Sequence, residues 1–244
     1  MKPAKGHEKI FVCCGCPVGH NHAMHWASTP IHFIDFEGNR SSGVLEFGVV
    51  TLLGGAIATV RTSRCAPIGR VAPEDVAVHG LEPAALAGEE AFATEWDYFA
   101  ALRTTGPLAA HFAQAENSLL KSVWPYPRHA PDFARPGRAA AEWGPWIDTG
   151  RLLSQLVPGT ASQQLEQLVA AHGLQAELEA LAAVQCPADR RRYHAALYDA
   201  LGGALLLRML LTRPDCAGAT IPWLLQMSTL DPDKRGALQQ GDLF

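Results

Sequence analysis

Hydrophobic and polar positions follow a strand-like pattern in the first third of the chain. Three runs rich in β-branched and aromatic residues lie at 31–37, 44–53 and 56–64. Such runs predict strands, and the Gly54-Gly55 pair between the second and third runs predicts a two-residue hairpin. The sequence therefore predicts a three-stranded antiparallel meander as the opening motif of the fold.

Helical spacing of apolar residues follows the third run. Short apolar segments near Leu108 and Ile147 predict further strands between the helices. Strands followed by alternating strands and helices predict an α/β fold with a mixed sheet flanked by helices. The helices are predicted at 89–102, at 114–123, from the strand near 147 to about 157, between Ser162 and Gly173, and at 195–211.

Composition divides the chain into three parts. Apolar residues make up 48% and charged residues 18% of the 244 residues, which excludes an intrinsically disordered chain. Residues 1–27 form an extension that holds three of the six Cys and four of the ten His. We expect one domain at 28–211 and a Pro-punctuated tail at 212–244.

The net charge and the length of the apolar runs exclude two kinds of protein, one that binds duplex DNA by overall charge and one that spans a membrane. The net charge of −4 excludes a protein that binds duplex DNA by overall charge, so any contact with nucleic acid must be local or screened by cations. The longest nearly apolar run, 49–60, is too short for a membrane span, which takes about 20 residues. We predict no membrane helix and no signal peptide, and the scattered Cys65, Cys186 and Cys216 favour a reduced, cytoplasmic location.

The first chemical signal is a pair of acids on the first predicted strand. Asp35 and Glu37 are two residues apart, so their side chains leave the same face of the strand. Two carboxylates on one face repel each other, and a hard divalent cation such as Mg²⁺ would remove that repulsion. The alternative is a solvated face of an edge strand, which the apolar neighbours Phe33 and Phe36 argue against.

Two further segments carry acids in helical context. Glu116 falls on the first turns of the helix at 114–123, where it could simply compensate the helix dipole. Asp199 interrupts the apolar helix at 195–211, and a buried carboxylate needs a cation, a metal or hydrogen bonds. His194 lies five residues before it. The preceding run Arg190–Arg192 is either a solvated loop or a local phosphate contact.

In this order, the three segments resemble the motifs of the DnaQ-like DEDDh 3′–5′ exonucleases, which include the epsilon proofreading subunit of bacterial replicases. Asp35 and Glu37 match its D-x-E motif, residues 111–116 match H-N-A-x-F-D, and His194 with Asp199 matches H-x-x-x-x-D. The resemblance covers about residues 31–211 and implies a ribonuclease H-like fold. The segments Val78-His79-Gly80-Leu81 and Trp146-Ile147-Asp148-Thr149 resemble linking signatures of the same family.

The resemblance also implies a mechanism and a set of site residues. Two Mg²⁺ or Mn²⁺ ions would be held by Asp35, Glu37, Glu116 and Asp199, and His194 would act as general base in hydrolysis that releases nucleoside 5′-monophosphates. This chain departs from the family at Glu116, which is usually Asp, at Phe112, which is usually Asn, and at Gly38, which is usually Thr. The residues implied to contact the terminal nucleotide are Gly38, His79, Gly80 and His111.

The two ends of the chain suggest separate partners. Gln240, Leu243 and Phe244 lie in a C-terminal pentapeptide that resembles the bacterial sliding-clamp-binding motif; the alternative is an uninformative tail. At the other end, Cys and His residues could form a compact Zn²⁺ site. Alternatively, residues 1–23 are a poorly ordered extension or precede a true start at Met24. The candidate zinc ligands are Cys13, Cys16, His20, His22 and His25.

Three functions remain open from the sequence. The first is a 3′–5′ exonuclease acting on single-stranded DNA or frayed 3′ ends, in proofreading, repair or end trimming. The second is a small-RNA 3′ exonuclease. The third, suggested by the departures at Glu116 and Gly38, is a weakened nuclease-fold module that binds the clamp or nucleic acid without cutting.

Overall fold

The opening meander is present as predicted. The computed structural model describes residues 24–157, 159 and 162–229. Its first three strands are β1 (Ile31–Asn39), β2 (Gly43–Leu53) and β3 (Ala56–Arg64), and each pairs antiparallel with the next. Gly54 and Gly55 both have positive φ, at 60° and 79°, as the two-residue hairpin between β2 and β3 requires.

Short parallel strands complete the sheet on the other side of β1. β4 (Leu108–Ala110) runs parallel to β1, and a further strand, Ile147–Asp148, runs parallel to β4. A separate two-stranded pair, β5 (Ala130–Pro131) and β6 (Ala139–Ala140), precedes that last strand, which is therefore β7. The sheet order is β3-β2-β1-β4-β7, so the predicted mixed α/β sheet is confirmed.

Nine α-helices surround this sheet in the described part of the chain. The predicted helix at 114–123 is found with those bounds, whereas four helices have no counterpart in the prediction: Pro73–His79, Pro83–Leu86, Gln175–Gln185 and Ile221–Met227. The α-helices are α1 (Pro73–His79), α2 (Pro83–Leu86), α3 (Trp96–Thr105), α4 (Gln114–Val123), α5 (Thr149–Leu156), α6 (Leu165–Ala171), α7 (Gln175–Gln185), α8 (Ala196–Leu211) and α9 (Ile221–Met227).

Helix α8 lies unusually close to β1 and β2. A Cβ atom at Gly48 of β2 would lie 2.4 Å from backbone atoms of Ala196, and one at Gly203 of α8 would lie 2.2 Å from the ring of Phe33. The absence of side chains at these two positions allows the helix and the sheet to approach. The first turn of α8 therefore packs against Gly48 of β2, which pairs with Asp35 of β1.

Aromatic side chains fill the opposite face of the sheet. The ring centroid of Phe99 lies 5.7 Å from that of Phe36 and 5.4 Å from that of Phe47. The helix predicted at 89–102 begins later than expected, because Phe92–Glu95 forms a 3-10 turn that leads into α3. Even-numbered residues of β1 face this aromatic core, so its odd-numbered residues face α8.

The folded unit extends beyond 28–211 at both ends. A 3-10 turn at Trp26–Ser28 leads into β1, and α9 buries Leu224 and Leu225 in the main core. No α-helix among the described residues is long and apolar enough to cross a membrane. The clamp-peptide residues and four of the five candidate zinc ligands lie outside the described residues. Both ring nitrogens of the fifth, His25, are already bonded, to the carbonyl of Ala217 and the amide of Ala27.

Candidate active site

Two acids of β1 face the first turn of α8. Asp35 and Glu37 lie on the same face of the strand as Phe33, which contacts α8. Opposite them on β2 stand Gly48, which pairs with Asp35, and Glu46, which pairs with Glu37. Glu37 is 9% exposed, and Asp35 keeps part of its surface accessible. The D-x-E pair therefore lies in a narrow space between sheet and helix.

The residue after this pair must be glycine in this chain. A β-bulge follows Glu37, and Gly38 has φ of 116°. A Cβ atom there would lie 2.2 Å from the carbonyl oxygen of Gly43. The hairpin therefore excludes the Thr that the family usually has at this position, which accounts for that departure.

The two carboxylate oxygens of Asp199 differ in their contacts. Its Oδ2 accepts a hydrogen bond from the backbone N–H of His194 at 2.9 Å. Its Oδ1 is buried and has no hydrogen-bond partner in the described part of the chain. His194 is exposed, with the positive φ of 61°, and ligand atoms of Glu37, His194 and Asp199 all lie within 4.8 Å of one another.

The fourth acid, Glu116, is carried by α4. It lies in the first turn of α4, is 6% exposed, and its Oε2 also lacks a hydrogen-bond partner among the described residues. The loop before it contains Phe112, with φ of 59°. Asp148, at the end of β7, holds this loop by accepting hydrogen bonds from the N–H groups of Phe112 and Ala113 at 3.1 and 3.2 Å. Asp148 therefore supports the site, although in the sequence it stood out only as part of the linking signature at 146–149.

The four acids interact electrostatically. Burial, followed by the charges of Asp199, Glu37 and Glu116, raises the pKa of Asp35 well above its usual value. Burial raises the pKa of Glu37 to about 8, with Asp199 and Glu46 adding to the effect and Arg190 opposing it. Burial also raises the pKa of Glu116 to about 8, with Asp148 adding to it, and that of Asp199 to about 7. Residues from β1, α4 and α8 therefore form one acidic cluster.

The donor set of this cluster fits hard divalent cations. All four acids offer carboxylate oxygens, the ligands that Mg²⁺ and Mn²⁺ prefer. Two of those oxygens, on Glu116 and Asp199, are buried without a hydrogen-bond partner in the described residues. Leaving buried carboxylates unpaired is costly, and a bound cation would remove that cost.

The predicted nucleotide-contacting residues fall into two groups. His79 and Gly80 end α1; the Nε2 of His79 is buried and has no partner among described residues, while its Nδ1 accepts from the amide of Leu81. His111 is engaged on both ring nitrogens, with the hydroxyl of Thr149 at 2.9 Å and the carbonyl of Gln163 at 2.8 Å. His111 would have to give up one of these bonds to contact a nucleotide.

Three arginines, Arg190–Arg192, precede His194. The first of them neither lies in a solvated loop nor is free to contact a phosphate. Arg190 is buried and forms an ion pair with Glu46 of β2. Arg191 donates to carbonyls of Cys186 and Ala183, and Arg192 donates to the carbonyl of His79. Sequence reasoning missed Glu46, although an acid within the apolar run 44–53 is the same signal that singled out Asp199.

Comparison with known proteins rests on structure, since no protein-family model and no curated protein sequence matches the chain. A solved structure of Exonuclease X in complex with 5′ overhanging duplex DNA is 22% identical, with a TM-score of 0.59 over 82% of this chain and 99% of that one. The nuclease domain of 3′hExo, a DEDDh family member bound to rAMP, is 14% identical, with a TM-score of 0.55 over 83% and 98%. This chain has their fold.

A third similar solved structure belongs to a longer protein. It is the zinc-bound form of E. coli ExoI with single-stranded DNA, which is 15% identical with a TM-score of 0.55. The match covers 77% of this chain but 41% of that one, so the chain spans less than half of the ExoI length. The predicted fold class is confirmed by these likenesses.

Proposed function

We propose that this chain is a metal-dependent 3′–5′ exonuclease of the DnaQ-like DEDDh type. The observation that carries the proposal is the meeting of four acids and one histidine from three separate parts of the chain. Glu37, His194 and Asp199 bring ligand atoms within 4.8 Å of one another, and Asp35 interacts with all three other acids. The shared fold with solved exonucleases supports the same function.

The carboxylates are the proposed ligands of two Mg²⁺ or Mn²⁺ ions. Asp35, Glu37 and Asp199 would hold the ions, with Glu116 completing the set. When bound, such ions stabilise the attacking and leaving oxygens of a phosphodiester as their charge develops. The chain's own contribution is a rigid arrangement: α8 closely approaches β2 at Gly48 and β1 at Phe33, so the elements that carry Asp35, Glu37 and Asp199 are held together by packing.

His194 is the proposed general base. Its exposed side chain lies beside Glu37 and Asp199, and its backbone is fixed by the bond from its N–H to Asp199. An imidazole nitrogen of His194 would take the proton from the attacking water. The products are a nucleoside 5′-monophosphate and a strand shortened by one residue at its 3′ end.

Single-stranded or frayed DNA 3′ ends are the first proposed substrate. The acidic net charge of the chain argues for contact with a strand end through cations rather than for a grip on duplex DNA. Two of the structures with this fold hold DNA, one with a 5′ overhang and one single-stranded, which favours DNA. The third holds rAMP, which keeps RNA as the second candidate.

The test is release of mononucleotide from matched oligomers. We expect 5′-monophosphate release from 3′-labelled single-stranded DNA in Mg²⁺ or Mn²⁺, no release in EDTA, and loss of release in Asp35→Asn and His194→Ala. A faster rate on RNA of the same sequence would assign the RNA substrate. Absence of release from every DNA and RNA 3′ end would support the non-cutting binding module instead.

The C-terminal peptide is proposed to tether this activity to a sliding clamp. Tethering raises the effective concentration of an enzyme at its substrate without new contacts at the active site. Substituting Leu243 and Phe244 by Ala should abolish binding to a purified bacterial clamp and leave the hydrolysis of short oligomers unchanged. Equal clamp binding by both proteins would rule out the tether.

A further inference from the structure

A buried ion pair lies behind the candidate active site. Arg190, in the 3-10 turn Ala188–Arg190, donates from Nε to Oε1 of Glu46 at 2.9 Å and from Nη2 to Oε2 at 2.6 Å. Both side chains are 4% exposed. Neither residue belongs to the proposed ligands, to the general base or to the predicted nucleotide contacts.

The remaining contacts of this pair reach three functional segments. Arg190 Nη1 donates to the carbonyl of His79 at 2.6 Å, and its Nη2 also donates to the carbonyl of His194 at 3.1 Å. Oε2 of Glu46 accepts from the N–H of Ala196, the first residue of α8, at 2.9 Å. One ion pair therefore joins the end of α1, the His194 loop and the start of the helix that carries Asp199.

Stability alone does not account for this arrangement. Burying an ion pair costs about as much desolvation energy as its attraction returns, and apolar replacements of such pairs are often neutral or stabilising. Glu46 also stands directly opposite Glu37 across the strands, and like charges in that position are unfavourable. The pair adds a fixed geometry, because the planar guanidinium fork binds several acceptors at set angles.

We propose that Arg190 and Glu46 are positioning residues, which hold His194 and the first turn of α8 in place against β2 and against the end of α1. The left-handed backbone of His194 needs such support, since a non-glycine residue at φ of 61° is strained. The kinetic consequence rests on the proposed function. The structural consequence, an ordered His194 loop, does not.

The test uses two variants and a matched control. Arg190→Lys keeps the charge and loses the fork. The double variant Glu46→Gln with Arg190→Met removes both charges, keeps similar volumes and retains an acceptor for the N–H of Ala196. Arg191→Met is the control, because Arg191 lies in the same run and bonds only to carbonyls of Cys186 and Ala183 in the contacts described.

We expect kcat to fall about 10- to 100-fold in both variants, within the contribution of a positioned general base, while KM changes by less than about threefold. Adding His194→Ala should then lower kcat far less than it does in the wild-type background, because the base is already misplaced. Losses that multiply fully would indicate general damage and overturn the inference. The Arg191→Met control should keep wild-type kcat.

Hydrogen exchange decides the structural part without any activity. The amides of His194 and Ala196 should exchange at least about tenfold faster in Arg190→Lys than in Arg191→Met, because the carbonyl of His194 and the acceptor of Ala196 both lose their fixed position. Unchanged exchange together with wild-type kcat would overturn the inference. If the wild-type protein hydrolyses nothing, the proposed function fails, and the exchange result still decides whether the pair orders the loop.

Discussion

Two loops border the acidic cluster. They share one feature, a positive-φ residue in a loop that a buried carboxylate fixes, and they differ in the further role of that carboxylate. Each contains a non-glycine residue with positive φ, Phe112 at 59° and His194 at 61°. In each, a buried carboxylate fixes the loop by accepting backbone N–H groups: Asp148 accepts from Phe112 and Ala113, and Asp199 accepts from His194. A backbone of this kind persists only where its surroundings impose it.

The two loops differ in whether the residue that fixes the loop also carries the unpaired carboxylate oxygen. Beside Phe112, the two tasks are divided, since Asp148 fixes the loop and Glu116 carries the unpaired oxygen. Beside His194, Asp199 performs both tasks with its two oxygens. Substitutions at the first loop should therefore affect loop support and proposed metal binding separately, because different residues carry them. At the second loop, a substitution of Asp199 should affect both, unless the new side chain keeps an oxygen that can accept the N–H of His194.

The largest effect is expected at Asp199. Asp199→Asn keeps an oxygen for the N–H of His194 and loses a charged ligand, so activity should fall about 1,000-fold, equal to about 4 kcal/mol of transition-state stabilisation. Asp199→Ala should lose the same activity and also release the His194 loop. Mononucleotide release measures the first effect and hydrogen exchange at His194 the second; equally fast exchange in both variants would contradict the double role.

Glu116 should give a smaller loss confined to activity. Glu116→Gln removes one proposed charged ligand and leaves the Phe112 loop with its support from Asp148, so we expect activity to fall about 100-fold, or about 2.7 kcal/mol. The metal-free variant should unfold at a higher temperature than the wild type, because Glu116 must either bury an unpaired charge or bind a proton when the chain folds, and Gln does neither. A lower melting temperature with normal activity would show that Glu116 is structural.

Asp148 should give the converse result. Asp148→Ala leaves the N–H groups of Phe112 and Ala113 without their acceptor and removes the N-cap of α5, so the free energy of unfolding should fall by about 2–3 kcal/mol. Residual activity should stay within about tenfold of wild type when metal is saturating, because no ligand is lost. Urea denaturation checks the first statement. A variant with wild-type stability and no activity would place Asp148 among the ligands.

The smallest effect is a shift of melting temperature with pH in the metal-free protein. The pKa values of Glu37 and Glu116 are near 8 in the folded chain, above their usual 4.5. The stabilisation from their bound protons is complete below about pH 4.5 and is lost as the pH rises through 8. The melting temperature should therefore fall between pH 6.5 and 8.5, and added Mg²⁺ should raise it most at the upper end.

The lower limit of that pH window, 6.5, avoids the titration of His32, which changes the stability in the opposite direction. Burial lowers the pKa of His32 to about 4, and its ring nitrogens are bonded to the hydroxyls of Thr51 and Thr105. Its contribution is present above pH 6.5 and is lost as the pH falls toward 4. A melting temperature that rises with pH above 6.5 in the metal-free protein would contradict the raised pKa values of the cluster.

The sequence predicted the regular parts of this molecule better than its supports. β1 to β3 and α4 follow from residue pattern, because strand alternation and helical spacing are local signals. Helix α7 was missed although it is 11 residues long, and only its contacts with α8 reveal which of its residues are buried. The acids on β1 and α8 could be selected because each interrupts an apolar pattern, whereas Glu116 on α4 was selected through the resemblance of residues 111–116 to a family motif.

The supporting contacts could not be predicted in the same way. The long-range partners of Asp148 and Glu46 lie 35–36 and 144–150 residues away in the chain, and no spacing rule links them. Arg190 shows the consequence, since a run of three arginines is usually solvated and this one begins with a buried ion pair. Burial of a charge depends on tertiary packing, which residue pattern does not encode.

The most direct test is the position of bound Mn²⁺ in crystals of the wild-type protein, located by anomalous scattering. We predict two ions about 3.5–4 Å apart, surrounded by the carboxylates of Asp35, Glu37, Glu116 and Asp199. Crystals of Asp199→Asn should lose at least one of them. Mn²⁺ bound elsewhere, or no ion at these carboxylates at saturating concentration, would contradict the claim that the cluster is a two-metal site.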